Sequence, residues 1–428
     1  MKNRIELLAP AGSYEKMIYA LEYGADAVYA GLPDFSLRAR INKFDENKII
    51  EAIDYVHRKK RKIYITVNVF AHNSHIKKIE AFLKLLKTHR PDAIIASDPG
   101  VIEMIGKQLP GMDVHLSTQA NTTNWRSVKF WKAQGVKRII LARELNLGEI
   151  AEIHRNVPGI ELEYFVHGAM CMAYSGRCLL SSWMTGRSSN LGDCSQNCRW
   201  RYDLVEEKSP NEYIPVEQDM HGSYLLNSKD ICLIDHLDEL GKAGISSFKI
   251  EGRAKSAYYL AQVVKSYREA MDIKEKGKKK IAKIRAIKHN LSKLQNRSYS
   301  TGFLFDECEK KGFETRYSHT SEEHVFVGEV MEIKNEKLKM KKENPEDNRN
   351  QLNNNLVKIK VHNALYKGDK VEIISPKGKN MTSRIKKIIE IDSMQESDSA
   401  HGGQNKMVYV SLGVKPEKYS IIRKYKHS

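Results

Sequence analysis

The sequence predicts a (β/α)8, TIM-like barrel followed by a small C-terminal β-barrel. Three observations carry that prediction. From Ile5 to Asp272, eight short apolar runs alternate with amphipathic helical stretches. Most runs are rich in Val and Ile and lack polar alternation, as strands buried on both faces of a parallel sheet do. Beyond Val325 the helical pattern gives way to short β runs separated by polar turns.

The eight barrel strands are expected at 5–9, 27–31, 62–69, 93–97, 113–117, 138–142, 161–166 and 247–251. Helices between them have readable caps and stops. Ser13 opens one that closes at Tyr23-Gly24, and Asp45 opens another with Ile49, Ile50, Ile53 and Val56 at helical spacing. The stretches 76–86 and 125–134 behave likewise, and Gly24, Gly135 and Gly244 each read as a helix stop before a strand. Eight such units fit a barrel of about 250 residues. An open doubly wound sheet is the alternative, but no Gly-x-Gly-x-x-Gly follows the first strand. The 428 residues therefore divide into a barrel at 1–272, a basic helical linker at 273–324 and a β-barrel at 325–428. Strands of the last are expected at 325–333, 356–361, 370–374, 383–391, 407–410 and 420–423, with an Asn-rich extended loop at 336–355.

Charge adds a partner class. The net charge is +18, and residues 271–428 carry 34 Lys and Arg against 21 Asp and Glu. A basic module appended to a near-neutral one points to a polyanion, and Lys-rich small barrels are common nucleic-acid platforms. The Lys-rich stretch 271–293 reads either as a solvated linker helix or as a phosphate-contacting face. No run approaches the ~18 apolar residues of a membrane span, and the start lacks an apolar leader, so a cytoplasmic, membrane-free protein is expected.

About 80 residues separate the seventh and eighth strands, far more than an ordinary barrel connection. Five of the six cysteines lie there. Cys171 and Cys178 form one pair and Cys194 and Cys198 another, all within 28 residues. Disulfides are disfavoured in a reducing compartment. Four converging thiolates suit zinc or an iron–sulfur cluster, and a six-residue gap is wide for a zinc knuckle. Buried apolar cysteines are the structural alternative. Cys232 reads as a core residue at the start of an amphipathic helix, and Cys308 has no visible partner.

Active sites of this fold collect at strand C-termini. Polar residues there are Asn68, Ser117, Gln119, Asn121, Arg143, Glu144, His167, Glu251 and Arg253. Each can equally serve packing or helix capping. Serine-hydrolase, metalloprotease and phosphate-loop motifs are absent. A Cys171–His167 nucleophile pair is disfavoured, because residues four apart around a strand end do not set up the imidazole–thiolate contact.

The run Glu163-Tyr-Phe-Val-His-Gly-Ala-Met-Cys171-Met-Ala-Tyr-Ser-Gly-Arg-Cys178-Leu-Leu-Ser181 resembles the signature of peptidase family U32. Leu8-Ala-Pro-Ala-Gly12, Asp193-Cys-Ser-Gln-Asn-Cys-Arg-Trp200, Asn227-Ser-Lys-Asp230, Phe248-Lys-Ile-Glu-Gly-Arg253 and Tyr299-Ser-Thr-Gly-Phe303 are similar to the same family. Members are called collagenase-like peptidases, yet others resemble oxygen-independent hydroxylases carrying a 4Fe–4S cluster. The C-terminal module and the lack of large insertions match the branch that makes 5-hydroxyuridine at the tRNA wobble position and depends on prephenate. The resemblance implies tRNA and a small carboxylate as partners, with a related partner chain as a further possibility. It places the cluster ligands on Cys171, Cys178, Cys194 and Cys198, with Cys232 the alternate for Cys198. On position, Glu163 and His167 are candidates for proton transfer and Arg143 for the carboxylate. Asn68, Gln119, Glu251 and Arg253 are candidate substrate contacts. A peptidase, or an RNA-binding module with structural zinc, are the alternatives.

Overall fold

The computed structural model describes residues 4–37, 42–200, 227–305, 320, 323–334, 356–403 and 405–426, with the backbone of 204–205 and 213–214. Seven strands follow in order: β1 Glu6–Pro10, β2 Ala27–Ala30, β3 Lys62–Val67, β4 Ala93–Ala96, β5 Asp113–Leu116, β6 Arg138–Ile140 and β7 Glu161–Ala169. A short strand, β8 Asp230–Cys232, lies outside the ring, and β9 Ile245–Ile250 completes it. Each of β1 to β7 pairs in parallel with its neighbours, and β9 pairs in parallel with both β7 and β1. That double pairing closes the sheet and excludes the open doubly wound alternative.

Helices α1 Tyr14–Glu22, α2 Glu46–Arg58, α3 Asn73–Thr88, α4 Pro99–Gln108, α5 Trp125–Ala133 and α6 Leu147–Asn156 alternate with these strands. Ser13, Asp45, Asp98, Asn124 and Asn146 cap five of them, each side chain accepting from a first-turn backbone N–H. Gly24, Gly135 and Gly244 sit at positive φ, as helix stops do. Strand parity divides the core. Leu7, Val28, Ile63, Ile94, Ile139 and Leu162 face the helices, while Leu8, Tyr29, Tyr64, Ile95, Ile140 and Phe165 fill the barrel.

Two local expectations are corrected. The segment opening at Asn227 is strand β8, not the start of a helix; helix α8, Leu237–Lys242, comes only after it. β8 runs antiparallel to the overhang of β7, with Cys232 opposite His167. The seventh strand is also longer than expected, and it carries an irregularity: Phe165 pairs with Lys249 but His167 with Ile250. Val166 is the extra residue, and such a bulge reverses which face the following side chains occupy.

After β9, α9 Ala257–Met271 completes the helical ring and α10 Gly277–Ser292 packs against it through buried Ile284 and Leu291. Three lysines of the expected linker, Lys280, Lys283 and Lys288, pair with Asp238, Glu275 and Asp235. β10, Tyr299–Ser300, pairs with β8. The C-terminal strands are β11 His324–Lys334, β12 Leu356–Val361, β13 Lys370–Ile374, β14 Met381–Glu390, β15 Met407–Leu412 and β16 Ile421–Tyr425. They close an antiparallel ring in the order β13–β16–β11–β12–β15–β14 and back to β13. Residues 336–355 and Cys308 lie outside the described residues. No helix among the described residues is long and apolar enough to cross a membrane.

The small barrel docks on α1 and α9. Tyr23 donates its hydroxyl to the carbonyls of Ile374 (2.7 Å) and Tyr419 (3.0 Å). Lys265 donates to those of Ser375 and Gly378. Arg423, fully buried, holds Glu372 at 2.8 and 3.0 Å and donates to the Tyr258 hydroxyl. Arg423→Met leaves Glu372 without its cation at this junction. The expected cost is on the order of 3 kcal/mol, read as a split of one calorimetric transition into two; a single transition with an unmoved midpoint contradicts this account of the docking.

Candidate active site

A buried charge network occupies the barrel interior. Glu163 on β7, with no exposure, accepts from Lys249 of β9 at 2.7 Å and Arg138 of β6 at 3.1 Å. Arg138 also reaches Glu6 of β1 (2.6 Å) and Glu161 (2.8 Å), and Ser247 and Tyr64 donate to Glu6. Burial alone would push the Glu163 carboxyl up, but the two cations outweigh it and hold it below the usual carboxylate range. It is a fixed anion rather than a proton shuttle.

Above this network, at the C-terminal mouth, lies a cavity of about 240 Å³. Its floor is aromatic and cationic. Lys249 sits 4.5 Å from the Tyr29 ring centre, and the Arg143 guanidinium lies 3.9 Å from that of Phe165. Arg253 lies 5.7 Å from Tyr29 and donates to the Leu37 carbonyl. Arg143 is only 9% exposed, and its Nε has no hydrogen-bond partner among the described residues. A buried donor in that condition is costly unless an acceptor arrives. On another wall Asn68 donates to Ser117 Oγ (3.1 Å) and Gln119 Oε1 (3.4 Å).

All four cysteines of the two pairs also line this cavity. Rim residues hold their loop down. Glu144 accepts from the Ser175 N–H (2.7 Å) and Asn121 from its hydroxyl (2.7 Å). Arg177 donates twice to the Gln119 carbonyl. The second pair is joined to the first through Asn190, which accepts from the Cys178 N–H, and Ser189, which donates to its carbonyl. Burial pushes the Cys198 thiol up; Arg199 opposes this, and the other three cysteines add to it. All four are free thiols, and no three His, Cys, Asp or Glu side chains among the described residues form a group able to hold a single metal ion.

The candidate residues thus separate. Asn68, Gln119, Arg143, Glu251, Arg253 and the four cysteines line one cavity; Glu163 and His167 do not. Glu163 lies beneath the floor, closed off by its two cations. His167 faces the other way because of the bulge at Val166. It packs among Tyr259, Tyr267 and Tyr299, and burial lowers its pKa to about 4, leaving it neutral at physiological pH. Cys232 lies on that far side too, 3.9 Å from the Tyr267 hydroxyl, its thiol pushed up to about 11 by burial. The sequence reading overlooked Lys249. A lysine inside an apolar strand, at a two-residue interval from Glu251 and Arg253, was the available signal.

Several motif residues are structural. Gly168 has φ 107°, and a Cβ there would stand 2.6 Å from the Glu251 carbonyl oxygen. Asp230 is buried against Arg297, which anchors β8.

Glu163→Gln removes the anion from between two buried cations. The expected cost is about 3–5 kcal/mol in denaturant unfolding at neutral pH. Because the folded pKa lies below the unfolded value of about 4.3, this contribution is present above that pH and is lost as pH falls through the folded value. A stable Gln variant that only loses activity would instead make Glu163 a proton-transfer group.

The model of peptidase family U32 matches residues 12–314, and that of the family's C-terminal domain matches 346–423. The chain is 37% identical to the tRNA hydroxylation protein P of Haemophilus influenzae, covering 95% of this chain and 93% of that one. It is 38% identical to the 23S rRNA 5-hydroxycytidine C2501 synthase of Escherichia coli, over 64% of this chain and 41% of that one. It is 32% identical to a collagenase of Porphyromonas gingivalis, over 76% and 80%. With family models matched over residues 12–314 and 346–423, the chain belongs to peptidase family U32.

Proposed function

We propose that the chain is an iron–sulfur-dependent tRNA hydroxylase that converts the wobble uridine to 5-hydroxyuridine without molecular oxygen, with a prephenate-like carboxylate as co-substrate. The single observation that carries this reading is one cavity lined both by the four thiols of the excursion after β7 and by Arg143, Lys249 and Arg253 of the barrel. Relatives named for RNA hydroxylation support the substrate class.

The donor set fits a 4Fe–4S cluster. One zinc ion needs its sulfurs about 2.3 Å from a common centre, whereas a cluster binds each thiolate at a different iron and spreads them around its edge. Four cysteines lining one cavity match the number of thiolates that such a cluster takes. Cys171, Cys178, Cys194 and Cys198 would hold the cluster; Cys232, behind β7, would not. When bound, it would supply one-electron transfer beside the substrate.

The chain's own groups bind and orient. Arg143, its guanidinium over the Phe165 ring, offers a carboxylate a buried donor that is unpaired among the described residues, and Lys249 adds charge that Glu163 keeps in place. The Asn68–Ser117–Gln119 wall presents amide and hydroxyl groups to a base edge. A wobble base lies in a single-stranded loop, so its removal from the stack costs little. A cysteine peptidase would need an imidazole beside a thiol, and His167 does not share the cavity with Cys171.

Nucleoside analysis of tRNA from cells lacking the protein tests the reading. The expected result is loss of 5-hydroxyuridine, restored by the wild type and not by Arg143→Ala, which should still fold. Undiminished 5-hydroxyuridine in the deletion strain contradicts the function; full restoration by Arg143→Ala contradicts the carboxylate role.

A further inference from the structure

Eleven large apolar side chains among the described residues are exposed, and six of them fall within 172–200: Met172, Tyr174, Leu179, Trp183, Met184 and Trp200. Scattered exposed hydrophobics are normal, but a concentration of this kind marks a contact surface. Trp183 is 81% exposed and Leu179 75%.

The segment that carries these side chains adjoins the cavity. Trp183 and Met184 project from the short helix α7, Leu180–Thr185, whose first residue lines the cavity. That helix is tied to the second cysteine pair: Ser181 accepts from the Ser195 N–H at 2.8 Å and shares a hydrogen bond with its hydroxyl at 2.6 Å. Thr185 donates to Ser195 as well, at 3.2 Å. The helix also packs on the turn Asn197–Arg199, which Trp200 follows. Met172 and Arg199 line the cavity themselves. The surface is thus continuous with the cavity rim.

Its chemistry selects an occupant. Residues 171–200 contain three arginines, Arg177, Arg187 and Arg199, and one acidic residue, Asp193, which Arg187 neutralises at 3.0 Å. Exposed indole planes on a segment with a net positive charge suit bases on a phosphate backbone.

We propose that Trp183 and Trp200 form a stacking platform that seats unpaired nucleotides of an RNA loop beside the cavity, an inference that rests on the RNA-directed reading above. The platform holds the bases flanking the target while the target enters the cavity. The contact to the loop is then made by the cysteine-bearing segment itself.

The test uses the anaerobically purified full chain and fluorescence anisotropy. The probes are a labelled RNA hairpin with a uridine-containing loop and a fully paired duplex. Wild type should prefer the hairpin. Trp183→Ala and Trp200→Ala should each weaken hairpin binding roughly 5- to 150-fold, the range of a lost base–aromatic stack, and leave duplex binding unchanged. Trp183→Phe, which keeps a plane, should retain most of the affinity, while Trp183→Leu, which keeps only apolar bulk, should not. Hairpin affinity unchanged in both Ala variants overturns the platform, and so does rescue by Leu equal to that by Phe, the mark of an apolar protein contact. If those results come with intact tRNA hydroxylation, the platform falls and the function stands. If wild type neither prefers the hairpin nor yields 5-hydroxyuridine, both fall.

Discussion

A carboxylate with no access to water, Glu163, is the constraint around which the barrel is arranged. It is tolerable only because Arg138 and Lys249 meet it from the two neighbouring strands. Arg138 then carries the network across to Glu6, so that β1, β6, β7 and β9 are bound together at the seam where the ring closes. The same pairing fixes Lys249 beneath the cavity. Closure of the fold and the positive floor of the site therefore have one physical cause, and neither can be altered alone.

The long excursion after β7 depends on that seam. The bulge at Val166 lets the strand overhang continue and pair with β8, and it turns His167 and Cys232 to the outer face. Free of the ring, the chain then doubles back over the mouth, where Gln119, Asn121 and Glu144 receive it. Rim positions that look catalytic on sequence grounds serve in part to hold the cysteine loop. The C-terminal barrel, by contrast, is docked on the flank formed by α1 and α9.

Much of this was legible in the sequence. The Val- and Ile-rich runs mark all eight barrel strands, because strands buried on both faces leave no polar alternation to confuse. Ser13, Asp45 and Gly24 mark helix ends because their cap chemistry is local. The four cysteines stand out by spacing and do line one cavity. What failed was non-local. Whether His167 faces the site depends on one inserted residue, and a bulge has no sequence signature at this resolution of pattern. Glu163 looked like an acid because a glutamate near a strand end is polar; its cations come from residues 25 positions before it and 86 after it. Cys232 looked helical because the helix that follows begins only a few residues later.

The most direct test is iron and acid-labile sulfide content, with the visible spectrum, after anaerobic purification of the wild type and of single Cys→Ala variants at 171, 178, 194, 198 and 232. The account predicts brown wild-type protein with about four iron and four sulfide per chain. It predicts loss of the cluster in the first four variants and its retention in Cys232→Ala. Colourless protein holding one zinc, or a cluster that survives Cys198→Ala and is lost with Cys232→Ala, would contradict it.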